Sequence, residues 1–165
     1  MKVFFYTIAF TLTLLLTGCN DNSCYDNGSS LPLVRFYMSG KDANVSVSGV
    51  TLKGIGAPGD SIYASNETLN EAYLPLRATQ KSTQWAITLN GTGGTTVNDT
   101  ITLDYNTAPF FASAECGAMF TFDLTRAECT HNIIDSVVII RKDVTNVKAE
   151  NLRIYFRNND MQPIE

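Results

Sequence analysis

Apolar residues in this chain recur at every second position, the period that gathers side chains on one face of a strand. Val34, Phe36 and Met38 alternate with Arg35 and Tyr37. Val45 and Val47, then Val50 and Leu52, are spaced by Ser, Thr and Lys. The same rule holds for Trp85, Ile87 and Leu89, for Ile101, Leu103 and Tyr105, for Phe120, Phe122 and Leu124, and for Leu152, Ile154 and Phe156. Val137 to Ile140 is a β-branched run, and Ser61-Ile62-Tyr63-Ala64 reads as a further strand. No window sustains helical spacing; Glu67 to Tyr73 comes nearest and is short.

Turn-forming clusters punctuate the pattern at Ala57-Pro58-Gly59-Asp60, Asn90-Gly91-Thr92-Gly93-Gly94 and Asn106-Thr107-Ala108-Pro109. A further turn is expected over Thr125 to Glu128, between the strand through Phe122 and the one through Val137. About seven to nine half-buried strands at this spacing predict an all-β, antiparallel β-sandwich, immunoglobulin-like in general architecture, with a barrel as the alternative. The sandwich is expected over residues 33–158, with 159–165 frayed. Leu31-Pro32-Leu33 and Leu74-Pro75-Leu76 share a tripeptide without flanking similarity, so each proline marks a strand edge or entrance and not a repeat.

The first residues follow a different rule. Met1-Lys2 is a minimal basic start, Val3 to Leu16 is mostly apolar, and Leu16-Thr17-Gly18-Cys19 closes the run. A helix of about 16 residues spans roughly 24 Å, short of a hydrocarbon core of about 30 Å, which argues against a transmembrane anchor. The closing residues resemble the bacterial lipobox. That resemblance implies a signal peptide over 1–18, cleavage before Cys19, and acyl chains on its sulfur. Residues 19–32 then read as the lipidated cysteine and a polar tether. Asp21 and Asp26 weakly resemble the acidic tract that exports Bacteroidota lipoproteins to the cell surface, so a periplasmic and a surface face of the outer membrane both stay open.

Composition narrows the partners. Removing 18 of the 165 residues leaves 147, enough for one domain with its own core. The remaining chain holds 11 Lys and Arg against 16 Asp and Glu, a formal charge of −5. With no basic cluster, nucleic acid is not an expected partner. The expected partner is a membrane, reached through the N-terminal lipid, together with an unidentified envelope protein or glycan.

Three cysteines besides Cys19 sit in a compartment that permits disulfides: Cys24, Cys116 and Cys129. If the strands around Thr125–Glu128 form a hairpin, Cys116 and Cys129 lie beyond the 7 Å a bridge can span. Cys24–Cys116, stapling the tether to the sheet, is therefore favoured over Cys116–Cys129. Without Cys-x-x-Cys spacing, neither a metal site nor a cofactor is expected.

Other chemical-looking features have plainer readings. Gly54-Ile55-Gly56-Ala57-Pro58-Gly59 fits G-x-G-x-x-G, but Pro58-Gly59-Asp60 turns the chain where a dinucleotide site needs a helix. His131 lacks an activated Ser or Cys in a recognised arrangement and reads as a solvated loop residue, so no catalytic residue is nominated. Trp85 shares a strand face with Ile87 and Leu89 and belongs in the core, while Tyr37, Tyr105, Tyr155 and Phe111 are weaker candidates for an exposed sugar platform. Asp60-Ser61-Ile62, Asp99-Thr100-Ile101 and Asp135-Ser136-Val137 resemble the Bacteroidota O-glycosylation sequon, which would modify Ser61, Thr100 and Ser136. All three hydroxyls are expected at strand starts.

The order of features is itself informative: lipobox, nearby second cysteine, Leu-Pro-Leu, Asp-Thr-Ile-Thr-Leu-Asp-Tyr, Phe-Phe-Ala-Ser-Ala-Glu-Cys-Gly, then Asn-Ile-Ile-Asp-Ser-Val. It resembles a family of small Bacteroidota lipoproteins classed only as a domain of unknown function, over approximately Cys24 to Phe156. Glu115-Cys116-Gly117 and Asn132 to Val137 carry it most specifically. The resemblance implies a lipid anchor, supplies no active site, and matches Cys24 and Cys116 to recurring cysteines. The expected role is a non-enzymatic binding or scaffolding module of the cell envelope, with a glycan-binding accessory protein as the alternative and a carboxylate hydrolase as the third reading.

Overall fold

The computed structural model describes residues 30–57, 61–90, 95–113 and 117–158. Ten strands build two packed sheets, and no helix occurs among the described residues. The smaller sheet runs β4 (Glu71–Tyr73), β1 (Leu33–Met38), β10 (Glu150–Phe156), β8 (Ile134–Ile139). The larger runs β3 (Ile62–Leu69), β2 (Val47–Gly54), β5 (Ser82–Asn90), β6 (Thr96–Ser113), β7 (Gly117–Cys129), β9 (Asp143–Val144). The architecture is a β-sandwich, and neither sheet closes into a barrel.

The count exceeds the expected range because β4 and β9 have three and two residues, too few to show a period in sequence. Pairing is antiparallel except between β1 and β10, the first and last strands, which lie parallel. Strands so far apart in sequence are free of the hairpin constraint that makes neighbours antiparallel. Glu67 to Tyr73, the nearest approach to helical spacing, lies in β3 and β4.

The alternating residues form the core. Val34, Phe36, Leu152, Ile154 and Phe156 of the smaller sheet face Leu52, Trp85, Ile87, Ile101, Leu103 and Leu124 of the larger, all nearly inaccessible. Phe36 meets Phe156 edge-on at 5.4 Å between ring centroids, and Tyr105 meets Phe122 at 5.3 Å. Such T-shaped contacts add to the burial of the rings. Trp85 sits in the core as its periodicity implies, edge-on to Tyr63 at 6.1 Å.

In β2, Val47 and Val50 both point inward although three positions separate them. Gly49 absorbs the extra residue: its φ is +71°, and the β2–β3 register shifts between Val47 and Val50. A Cβ at Gly49 would stand 2.9 Å from the Asn90 carbonyl oxygen. Glycine is the residue that fits such a bulge.

Two expected turns are strand. Asn106 to Pro109 lies inside β6, and Thr125 to Glu128 lies inside β7, whose chain reverses only after Cys129. Pro109 is tolerated because β5 stops pairing at Ser82–Asp104, so beyond that point β6 has β7 on one side only. A proline lacking its N–H can occupy such an edge.

The reversal after Cys129 is organised by Asp99. Its carboxylate is 2% exposed and accepts hydrogen bonds from the Thr130 hydroxyl and from the amides of Asn132, Ile133 and Ile134. Burial alone would raise its pKa. The donation from Thr130, Asn132, Ile134 and Ile133 outweighs burial and holds the carboxyl below its ordinary value. This cap carries the chain from the larger sheet into β8 of the smaller one.

Candidate functional site

Thiol and imidazole meet where β7 ends. Cys129 Sγ lies 3.7 Å from His131 Nδ1, above an open cavity of about 380 Å³ lined also by Ala127, Glu128, Ser136 and Val137. Burial, then the charges of Asp99 and Asp135, push the Cys129 thiol above its ordinary pKa. A raised thiol is a poor nucleophile at neutral pH, since the thiolate is the reactive form. His131 is exposed, as expected of a loop residue, and its Nδ1 also lies 3.4 Å from the Ile134 carbonyl oxygen. Among the described residues, no three His, Cys, Asp or Glu side chains gather as a metal site.

The outer face of the smaller sheet is densely charged, and its charges are paired. Glu71 accepts from Lys148 Nζ at 3.0 Å and Arg35 Nε at 3.1 Å, and these donors hold its carboxyl below the usual range. Glu150 accepts from the Tyr37 hydroxyl at 2.8 Å and from Arg153 Nε at 3.0 Å. The Arg153 guanidinium lies 4.7 Å from the centre of the Tyr37 ring, which stacks at 5.4 Å on Tyr155 with a 35° tilt. Tyr37 is only 4% exposed, so this aromatic pair is packed between β1 and β10 instead of offered to a ligand. Tyr105 is buried as well, its hydroxyl joined to Thr83 and to the backbone of Arg77. Of the aromatic candidates read from sequence, Phe111 is strongly exposed, at 72%.

Phe111 belongs to a two-stranded ribbon that leaves the sandwich. The β6–β7 pairing continues from Asn106–Asp123 to Ser113–Gly117, well past the end of β5. Only β9 accompanies it, at Phe122 and Asp123. Register places Tyr105, Thr107, Pro109 and Phe111 on one face with Leu124, Phe122, Phe120 and Ala118. At the root this face is core: Tyr105, Leu124 and Phe122 are buried. Further out it meets solvent, with Phe120 at 41% and Phe111 at 72% exposure. The opposite face carries Phe110 and Met119, paired across the strands and half-buried. Between Asp104 and Asp123 the sequence holds one charged residue, Glu115. The sequence pattern breaks β6 with a turn at Asn106–Pro109 and so hides the ribbon; its signal is the apolar run Ala108-Pro109-Phe110-Phe111-Ala112, with no charge before Glu115.

The remaining sequence-derived sites are dispersed. Cys19, Cys24 and Cys116 lie outside the described residues. Cys129 stands at the far end of β7 from Gly117; twelve steps of about 3.3 Å put roughly 40 Å between those ends. Ser61 is exposed just before β3, a strand start as expected. Thr100 is not at a strand start: it lies within β6, opposite Ala86, and its neighbour Asp99 serves the turn. Ser136 is the third residue of β8, opposite Tyr155, and lines the Cys129 cavity. The two Leu-Pro-Leu segments meet, the Leu74 amide donating to the Pro32 carbonyl at 3.1 Å where β1 begins.

No curated protein and no solved structure matches the chain. Residues 44–156, most of the sandwich, match a family of unknown function, DUF6452. The protein belongs to that family.

Proposed function

We propose that this protein is a lipid-anchored module of the bacterial cell envelope, held through Cys19 at the outer membrane and acting by binding or scaffolding without catalysis. The address rests on Leu16-Thr17-Gly18-Cys19 at the end of the apolar run. The observation that carries the binding role is where chemistry and exposure part company. Asp99, Glu71 and Glu150 are engaged by donors within the fold, and the Cys129 thiol is held protonated. Large apolar side chains, by contrast, project into solvent on the β6–β7 ribbon. Exposed apolar surface of this kind marks contact with another body.

The glycan-binding reading is weaker. A sugar platform needs exposed, nearly coplanar rings with polar groups beside them. The Tyr37–Tyr155 pair is tilted and packed, and Phe111 and Phe120 have Pro109 and Ala118 as neighbours on their face. The hydrolase reading needs two acids about 5–10 Å apart in a cleft.

Crosslinking in intact envelopes followed by purification separates these roles. The proposal expects an envelope component recovered with the wild-type chain and lost when Cys19→Ala releases it from the membrane. Turnover of envelope polysaccharide that disappears on substituting a carboxylate would contradict it. Ser61 is the best placed of the three hydroxyls for O-glycosylation, being exposed ahead of its strand; intact mass of the natively made protein without added sugar would dispose of that modification.

A further inference from the structure

We propose that β8 is the edge through which two copies of this chain join, antiparallel about a two-fold axis at Val138. The smaller sheets of the two copies then run on as one. This goes beyond the envelope-module reading and stands whether or not Cys19 carries lipid.

Four strands edge the two sheets: β4 and β8 in the smaller, β3 and β9 in the larger. β4 and β9 have three and two residues, too short to template a partner. β3 is longer, but its pairing with β2 slips at three places and Asn66 stands at a φ of +54°. Bulges of this kind blunt an edge. β8 pairs with β10 without a break from Ser136 to Ile139, and no strand lies on its outer side among the described residues. The Ile140 amide donates to the Asn151 carbonyl oxygen at 2.8 Å, toward β10. Alternation along the strand therefore turns the backbone amides and carbonyls of Val137 and Ile139 to the open side.

The edge is its own complement. In an antiparallel pair centred on Val138, Val137 of one copy lies opposite Ile139 of the other, and about four backbone hydrogen bonds form. These β-branched side chains suit cross-strand packing. On the outer face Val138 meets Val138, and Ile140 meets Ser136; in the single chain Val138 is 40% and Ile140 48% exposed.

Charge selects the occupant and its direction. Asp135 and Arg141 stand three positions before and after Val138, so each Asp135 comes opposite an Arg141 of the other copy. Both are exposed: the β8–β10 register slips at Asp135, and β8 ends before Arg141. The Asp135 carboxylate accepts from the Ser39 hydroxyl at 3.1 Å and keeps lone pairs for a guanidinium. A parallel pairing in the same register would set like charges side by side. An isologous contact, in which one patch serves both subunits, is the arrangement this pattern fits.

There is also room. The cavity beside Cys129 runs along this edge, with Ser136 and Val137 on one side and Ala127, Glu128 and Cys129 on the other. β9 accompanies β7 only at Phe122 and Asp123, so the end of β7 leaves the cavity open to an added strand.

Cysteine substitutions in the full-length chain, oxidised in the cells that make it, test the register. Val138→Cys sets two thiols at a non-hydrogen-bonded position, where Cα atoms lie about 4.5 Å apart and a disulfide can close. The proposal expects a covalent dimer whose linking peptides, identified by mass, join residue 138 to residue 138. Ser136→Cys and Ile140→Cys, made together on separate chains, should link to each other and neither to itself. Arg141→Glu should lower the yield of the Val138→Cys dimer about fivefold or more, and adding Asp135→Lys should restore it. Failure of both the Val138 and the Ser136–Ile140 links overturns the proposal. So does linking at Val138 no stronger than at Gln84→Cys, an exposed site on the larger sheet, since that is collision. A link from residue 138 to a different protein overturns it in favour of an unrelated partner.

Discussion

At the residue scale, single side chains decide where this chain bends. Asp99 is the clearest case, a carboxylate taken from water and repaid by one hydroxyl and three amides. Its depressed pKa fixes the sign of the pH dependence. The stability it contributes is complete above the unfolded aspartate value of about 3.9 and is lost as pH falls through the lower folded value. Asp99→Asn turns an amide toward donors and should cost about 2–3 kcal/mol at neutral pH. Urea denaturation at pH 7 and pH 3 checks both points: the gap from wild type should narrow at the lower pH, and an unchanged gap would contradict the ionised cap. Gly49→Ala forces a side chain into positive φ against the Asn90 carbonyl, with an expected loss of about 1–3 kcal/mol by the same measurement. Gly49 could be read in sequence, since the inward set slips by one between Val47 and Val50. Asp99 could not, because its donors lie 31 to 35 residues away.

At the element scale, the alternation was sound wherever a strand has one face in the core, as in β5 and β10. It failed where a strand outruns the sandwich. Asn106-Thr107-Ala108-Pro109 has the composition of a turn, yet a ribbon with one open edge accepts the same residues. β4 and β9 went unseen for lack of length, and the parallel β1–β10 pair leaves no local mark. The full-length β7 also sharpens the cysteine question, since Cys129 and Gly117 close opposite ends of it. With Cys19 acylated, a Cys24–Cys116 bridge would leave Cys129 as the one free thiol. Alkylation of the unreduced, denatured protein should label one cysteine, identified as Cys129 by peptide mass, with Cys24 and Cys116 released only after reduction. In the native protein, burial and the neighbouring carboxylates should slow alkylation of Cys129 below the rate of an exposed thiol. Labelling of all three thiols without reductant would refute the bridge.

At the scale of the whole molecule, much of the polar chemistry is turned to holding the fold, while large apolar side chains reach solvent at several places, Phe111 and Phe120 on the ribbon, Ile62 and Tyr63 on β3 and Val147 before β10 among them. The ribbon leaves the sandwich at the end where β1 begins. A domain built this way has a direction, which a lipid at Cys19 would translate into an orientation at a membrane. The direction was hidden from sequence because it depends on Asn151, β9 and the crossing after Tyr73 converging on the start of β1. The proposed address rests on four residues ahead of the domain, Leu16-Thr17-Gly18-Cys19.

The mass of the mature N-terminal peptide, isolated from native envelopes, tests that address most directly. The account predicts a peptide that begins at Cys19 and carries diacylglycerol on its sulfur. A peptide that retains residues 1–18, or one that begins at an unmodified Cys19, would contradict it.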